Sequence, residues 1–121
     1  MGKEFEFDFE KLQVYQKALV LIDHVFLMVK ALPKEHHFSV GNNLIRAALS
    51  IANNLAEGND KSSLKEKSRF FHIASDSARE CASVFIVLQR QGLLSSDLFR
   101  ELKQGIREIT SIIRAITRNA A

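Results

Sequence analysis

Basic residues near the end of the chain recur at a spacing that could bind phosphate groups. Plotted on a helix, they fall within an arc of roughly 60°, away from the neighbouring isoleucines. These residues, called here the basic ridge, are Arg100, Lys103, Arg107, Arg114 and Arg118. Such a ridge can bind RNA or DNA by neutralising phosphates and releasing counterions. The alternative for a single subunit is a solvated helix face whose cations complement the helix dipole.

A stripe of polar residues defines a second candidate site. It comprises Arg46, Ser50, Asn54 and Glu57 in one predicted helix and Ser77 and Glu80 in the next. The small residues among them would let a second helix approach closely. Arg46 and Glu57 lie about three turns apart, too far to pair with each other. Each therefore needs another partner, such as Glu80 for Arg46, within the bundle or on a second subunit; an exposed hydrophilic face is the alternative.

The residue patterns of catalytic and metal sites are not found in this sequence. Glu35-His36-His37 does not have the spacing of a zinc-protease motif, and no Glu-x-x-His pair of a di-iron bundle occurs. Cys81 lies among small apolar residues, which favours a buried thiol over a nucleophile. We therefore expect no enzyme activity, catalytic residue, metal, cofactor or small-molecule substrate.

Length and composition indicate one domain covering residues 1–121. Hydrophobic residues make up 46% of the chain, and its net charge is +3. The first ten residues contain four acidic groups and one lysine, so the rest carries a net charge of +6, which favours polyanions. A single cysteine, an acidic N-terminus and the lack of a long apolar run predict a cytoplasmic protein without disulfides or a membrane span.

Two amphipathic segments precede residue 60. The first is predicted to run from Phe9 to Leu32, with Asp8 as its N-cap and Pro33 ending it. Its predicted apolar face is Leu12, Tyr15, Leu19, Ile22, Phe26 and Val29. The second runs from a cap at Ser39 to about Glu57. Gly58 is predicted to be the left-handed residue that follows it.

Two more segments follow. Ser63 and Glu66 have the spacing of a capping box, and the third helix extends from there to about Gln91, before Gly92. Ser95 or Ser96 caps the fourth, whose face is Leu102, Ile106, Ile109, Ile113 and Ile116. Short connections make consecutive helices antiparallel neighbours. We expect an all-α, up-down four-helix bundle, preceded by a flexible or swapped arm at residues 1–8.

The run from Arg46 to Gly58 resembles the signature of the 23S rRNA intervening-sequence proteins, a four-helix-bundle family. Three other stretches agree: Phe9, Leu12, Tyr15, Gln16 and Ala18; Leu32-Pro33 with Glu35 and Phe38; and Ala74, Ser77 and Glu80. The fourth helix matches only in general character. The resemblance thus covers almost the whole chain, but transfers no individual residue of the basic ridge.

The resemblance implies a left-handed antiparallel bundle that assembles into a cyclic homopentamer. Some family members are encoded within insertions in bacterial ribosomal RNA genes, so the family label describes gene location and not a ribosomal function. Bundles of similar fold are accessory variability determinants of retroelements, which the resemblance connects with nucleic acid and reverse transcriptase. Because the signature includes Arg46, Ser50, Asn54 and Glu57, the resemblance implies that the polar stripe has a structural role within the bundle or between subunits.

These observations lead to two functional hypotheses. The first is a non-enzymatic homo-oligomer that binds RNA or DNA through its phosphates, since a ring would repeat the basic ridge. The second is a scaffold or adaptor, for example for a reverse transcriptase, that binds protein without binding nucleic acid. The acidic N-terminal residues either lie across a neighbouring subunit or fray.

Overall fold

Four long helices dominate the computed structural model, which describes residue 2 and residues 4–120. They are α1 (Gln13–Ala31), α2 (Asn42–Asn59), α3 (Leu64–Arg90) and α4 (Ser96–Thr117). The described residues contain no strand, which confirms the all-α fold class. The predicted arm at residues 1–8 falls partly outside the described residues.

The helices pack in a closed cycle. Neighbours along the chain pack against each other, and α4 packs back against α1. Together with the short connections, this order fits an up-down bundle in which consecutive helices are antiparallel. Among the described residues, no helix combines the length and the apolar character that crossing a membrane requires.

One side of every helix is buried in a common core. Ile51 of α2, Phe85 of α3 and Ile109 of α4 are fully buried, and the face predicted for the fourth helix is confirmed. The face predicted for α1 was partly wrong. Its core positions are Val14, Ala18, Leu21, Ile22, Val25, Met28 and Val29, whereas Phe26 remains 49% exposed. The reason is that α1 is apolar on more than one side, so periodicity alone does not select the stripe that meets α2 and α4.

The start of α1 also differs from the prediction. A 3₁₀ turn, Asp8–Lys11, precedes the helix, and Asp8 does not cap α1. Instead, a carboxylate oxygen of Glu10 accepts a hydrogen bond from the backbone N–H of Phe7 at 2.8 Å. Leu12 is extended between the turn and the helix, with φ −67° and ψ 128°. At the other end, Leu32 is extended before Pro33, as predicted.

The two ends of α2 correct two further predictions. A π-helical turn, His37–Gly41, leads into the helix without a side-chain cap from Ser39. Gly58 is not a left-handed terminator but a buried residue within α2. A Cβ atom on Gly58 would lie 2.8 Å from both Phe70 Cβ and Phe71 Cδ1. Glycine therefore permits the close approach of α3, and does not end the helix.

The serine caps that begin α3 and α4 and the glycine that follows α3 are confirmed. Ser63 Oγ accepts a hydrogen bond from the backbone N–H of Glu66 at 3.1 Å. Ser95, and not Ser96, caps α4, because its Oγ accepts from the N–H of Leu98 at 3.2 Å. Gly92 follows α3 with φ +76°, a conformation that favours glycine.

Candidate nucleic-acid interface

All five side chains of the basic ridge are exposed along α4. The first four lie on the helix, and Arg118 is its C-cap residue. Lys103 and Arg107 also line a groove between α3 and α4, together with Arg79 of α3. At Lys103 and Arg107 the ridge therefore borders α3, and α3 adds a cation to it.

Local contacts distinguish the members of the ridge. Arg100 pairs with Asp97 one turn earlier on the same helix. Lys103 Nζ lies 5.0 Å from the centroid of the Phe99 ring, a cation–π distance. Within the described part of the chain, Arg107 and Arg114 form no ion pair with a carboxylate, so their charges remain available to an external anion.

The opposite edge of α4 is acidic and faces α1. Glu108 Oε1 lies 3.0 Å from Lys17 Nζ, and Glu101 Oε1 lies 3.9 Å from His24 Nε2. The hydrogen bond from Lys17, with a second from Gln104, lowers the pKa of Glu108. Glu101 and Glu108 thus lie on the edge of α4 opposite the basic ridge. Asp97, which pairs with Arg100, is the exception at the start of the helix.

The groove between α3 and α4 combines cations with an apolar floor. We call it the basic groove; it is lined by Arg79, Lys103 and Arg107 around Ala82, Ser83, Ile86, Ile106 and Thr110. Ile86 is 50% exposed there. Sequence analysis missed Arg79, because periodicity within one helix does not give the register of α3 against α4. An explicit antiparallel alignment of the two helices could have found it.

Three members of the polar stripe meet where α2 packs on α3. Ser77 Oγ donates to Ser50 Oγ at 2.8 Å. Asn54 Nδ2 donates to the backbone oxygen of Ser50 at 2.8 Å and to its Oγ at 3.1 Å. These small side chains hold the two helices close together while satisfying one another's polar atoms.

The charged members of the stripe do not meet within one chain. Arg46 donates to Asn43 Oδ1 on its own helix at 2.6 Å. Glu57 and Glu80 are exposed. In residues 4–120, neither carboxylate forms an ion pair with Arg46. A role for these three residues between subunits therefore stays a prediction.

Comparison with known proteins agrees with this bundle. Residues 10–115 match the family model of the 23S rRNA-intervening sequence protein. The chain belongs to this family. No curated protein matches it.

A solved structure has the same fold as this intervening-sequence family member. It is a protein of unknown function from the S23 ribosomal protein family of Bacteroides thetaiotaomicron. The two chains are 19% identical and superpose with a TM-score of 0.80, over 88% of this chain and 99% of the other. At this identity the likeness shows the fold alone.

Among the described residues of this family member, the side chains that could react or bind a metal are either buried or far from one another. Cys81 is buried, and burial, with a smaller effect of the Glu80 charge, raises its pKa to about 12. Its thiol is therefore protonated at neutral pH. His37, the first residue of the π-helical turn, has its Nε2 at 2.7 Å from the Leu32 backbone oxygen. Across the described residues, no three His, Cys, Asp or Glu side chains are grouped to hold a metal ion.

Proposed function

We propose that this protein is a non-enzymatic, homo-oligomeric helical bundle that binds RNA or DNA through phosphate contacts, with little sequence preference. The carrying observation is the charge segregation on α4. Arg107 and Arg114 are exposed and form no ion pair with a carboxylate of the described residues. Glu101 and Glu108 lie on the opposite edge of α4, beside α1. Arg107 and Arg114, held on one surface without an ion-paired acid among the described residues, suit a sequence-independent polyanion contact.

Oligomerisation is the second part of this proposal. One subunit offers only a few phosphate contacts, which gives weak and strongly salt-dependent binding. A ring, such as the homopentamer implied by the sequence resemblance, repeats the surface and raises avidity toward a long strand. The exposed part of the polar stripe, including Arg46, Glu57 and Glu80, supplies polar groups that a second subunit could pair with.

The test measures binding to unrelated RNA and DNA oligonucleotides of equal length across a series of salt concentrations. We expect the logarithm of the affinity to fall linearly with the logarithm of salt concentration. Charge reversal at Arg107→Glu and Arg114→Glu should weaken binding equally for all sequences and reduce the magnitude of the salt slope by about two. Absent binding at low salt, or a flat salt response, would contradict the proposal.

A matched control separates the basic ridge from total charge. Lys34→Glu with Lys65→Glu changes the net charge by the same amount at two exposed lysines outside the ridge. This control should retain most of the affinity. Equal losses in the two double variants would mean that net charge alone, and not the ridge, attracts the nucleic acid.

A protein scaffold or adaptor is the second candidate function. It is favoured by apolar side chains beside the groove between α1 and α4, where Val20 is 56% and Leu27 is 69% exposed. A pull-down after nuclease treatment tests it. Protein retained by wild type, lost with Val20→Gln and Leu27→Gln, and kept with the Arg107 and Arg114 reversals would favour the adaptor. Loss of all bound protein after nuclease treatment would exclude it.

A further inference from the structure

The N-terminal residues 4–10, called here the acidic arm, carry an exposed row of aromatic rings between carboxylates. The Phe5 and Phe7 rings lie 4.9 Å apart, those of Phe7 and Phe9 lie 5.2 Å apart, and Phe9 contacts Tyr15 at 5.0 Å. Phe5 is nevertheless 78% exposed and Phe7 54% exposed. Exposed aromatic surface of this kind is commonly buried by a binding partner.

The carboxylates of the acidic arm are also available. Among the carboxylates of the arm, only that of Glu10 forms a hydrogen bond with the described residues. It accepts from the backbone N–H of Phe7 and so stabilises the turn. Glu4, Glu6 and Asp8 form neither a side-chain hydrogen bond nor an ion pair there. The arm therefore offers both negative charge and apolar surface to whatever binds it.

The basic groove has the complementary character. Arg79, Lys103 and Arg107 supply positive charge along its sides, and Ile86 with Ala82 supplies apolar surface between them. The lengths also match. The four residues that precede the 3₁₀ turn, Glu4 to Phe7, reach about 10 Å when extended, and the helical stretch from Arg79 to Ile86 also spans about 10 Å.

The chain's own arm lies on another side of the bundle. The 3₁₀ turn that carries Asp8 to Lys11 packs against α1 and α2. The basic groove lies between α3 and α4, the two helices on the far side of the cycle from α2 and α1. Because this turn holds the arm on the side of α1 and α2, the basic groove that complements the arm is that of a second copy.

We propose that the acidic arm of one copy docks in the basic groove of a second copy. Glu4 and Glu6 pair with the groove cations, and the rings of Phe5 and Phe7 cover Ile86. Because Lys103 and Arg107 also belong to the basic ridge, a docked arm competes with nucleic acid for the same cations. This competition rests on the proposed function, whereas the docking itself does not.

Photo-crosslinking in the full-length protein tests the docking without nucleic acid. A photoreactive phenylalanine analogue replaces Phe5, and the chain is mixed with an isotope-labelled copy before irradiation and peptide mapping. We expect cross-links between copies that fall within residues 79–86 or 103–110. Cross-links confined to the same chain, or mapped to another surface of the partner, would overturn the proposal.

A charge reversal in the groove provides the matched comparison. Arg79→Glu with Arg107→Glu should reduce the cross-linked yield several-fold, because two of the three groove cations become repulsive to the arm. Lys34→Glu with Lys65→Glu, which changes the net charge by the same amount at exposed sites outside the groove, should leave the yield unchanged. Equal yields in all three proteins would show that the contact does not depend on the basic groove, and would overturn the proposal.

Two arm variants test the competition. Phe5→Ala with Phe7→Ala keeps the carboxylates but removes the rings, so any gain in affinity for a single-stranded RNA comes from undocking and not from lost negative charge. We expect this variant to bind RNA several-fold more tightly than wild type. Unchanged RNA affinity would overturn the competition. Cross-links in a protein that binds no RNA would leave the docking standing and remove the proposed function instead.

Discussion

Ser77 Oγ donates a hydrogen bond to Ser50 Oγ at 2.8 Å across the contact between α2 and α3. Ser77 is only 8% exposed, and its small side chain lets the helices approach. A partly buried hydrogen bond of this kind contributes about 1 kcal/mol to the free energy of unfolding. The pair is therefore structural within a single subunit, whatever the neighbouring charged residues do between subunits.

Ser77→Ala should lower the free energy of unfolding by about 1 kcal/mol, because it leaves the Ser50 hydroxyl with one partner fewer. Urea denaturation followed by circular dichroism measures this change. Ser83→Ala is the control, since Ser83 is exposed on the same helix and its replacement should change stability by less than about 0.5 kcal/mol. Equal stability of the two variants would show that the hydrogen bond contributes nothing.

Two helical glycines should respond in opposite directions to alanine. Gly58→Ala places a Cβ 2.8 Å from Phe70 Cβ and Phe71 Cδ1, and the resulting overpacking costs about 1–3 kcal/mol. That loss outweighs the helix-propensity gain of up to about 1 kcal/mol. Gly105→Ala meets nothing within 4 Å and should stabilise the bundle by about 0.5–1 kcal/mol. Urea denaturation measures both; stabilisation by Gly58→Ala would contradict the close approach of α3.

Local signals predicted the helices well because each acts within a few residues of its own position. The caps at Ser63 and Ser95 and the left-handed Gly92 are of this kind. The prediction for Gly58 was wrong because the constraint that requires glycine comes from α3, where the side chains of Phe70 and Phe71 leave no room for a Cβ atom. A glycine near a helix end and one at a helix contact look alike in sequence.

The candidate site was predictable only within single helices. The spacing on α4 was enough to place Arg107 and Arg114 on one exposed face, but Arg79 joins that surface through the register between helices. Predicting which face of α1 is buried likewise required knowing how α1 packs against its neighbouring helices. Pairing of Arg46 with Glu80 was a further possibility that residue types allowed, and within one chain Arg46 binds Asn43 instead.

The Lys17–Glu108 ion pair should make stability depend on pH. Hydrogen bonds from Lys17 and Gln104 lower the pKa of Glu108 in the folded state. The contribution to stability is therefore present above the pKa of the unfolded state, and is lost as pH falls through the lower folded pKa. Glu108→Gln should lower the melting temperature at neutral pH, and the difference from wild type should shrink in acid. A difference independent of pH would contradict this assignment.

Cys81 should react with a thiol reagent only when the bundle opens. The thiol is buried, and its pKa of about 12 leaves almost no thiolate at neutral pH. We expect slow labelling by a disulfide reagent under native conditions and rapid labelling in denaturant. A control with an exposed cysteine, Ser83→Cys in a Cys81→Ala background, should label rapidly in both conditions. Rapid native labelling of wild type would show that the core around α3 opens readily.

Arg46→Ala separates a role within the subunit from a role between subunits. Within one chain, Arg46 is exposed and bonds only to Asn43 among the described residues, so its loss should change the unfolding free energy of the subunit by less than about 0.5 kcal/mol. If Arg46 pairs with Glu57 or Glu80 of a second copy, the variant should instead lower the oligomer mass measured by light scattering. Lys65→Ala, at another exposed cation, should leave that mass unchanged. An unaltered mass and melting temperature in Arg46→Ala would mean that this part of the polar stripe only faces solvent, and the oligomer would then need a different interface.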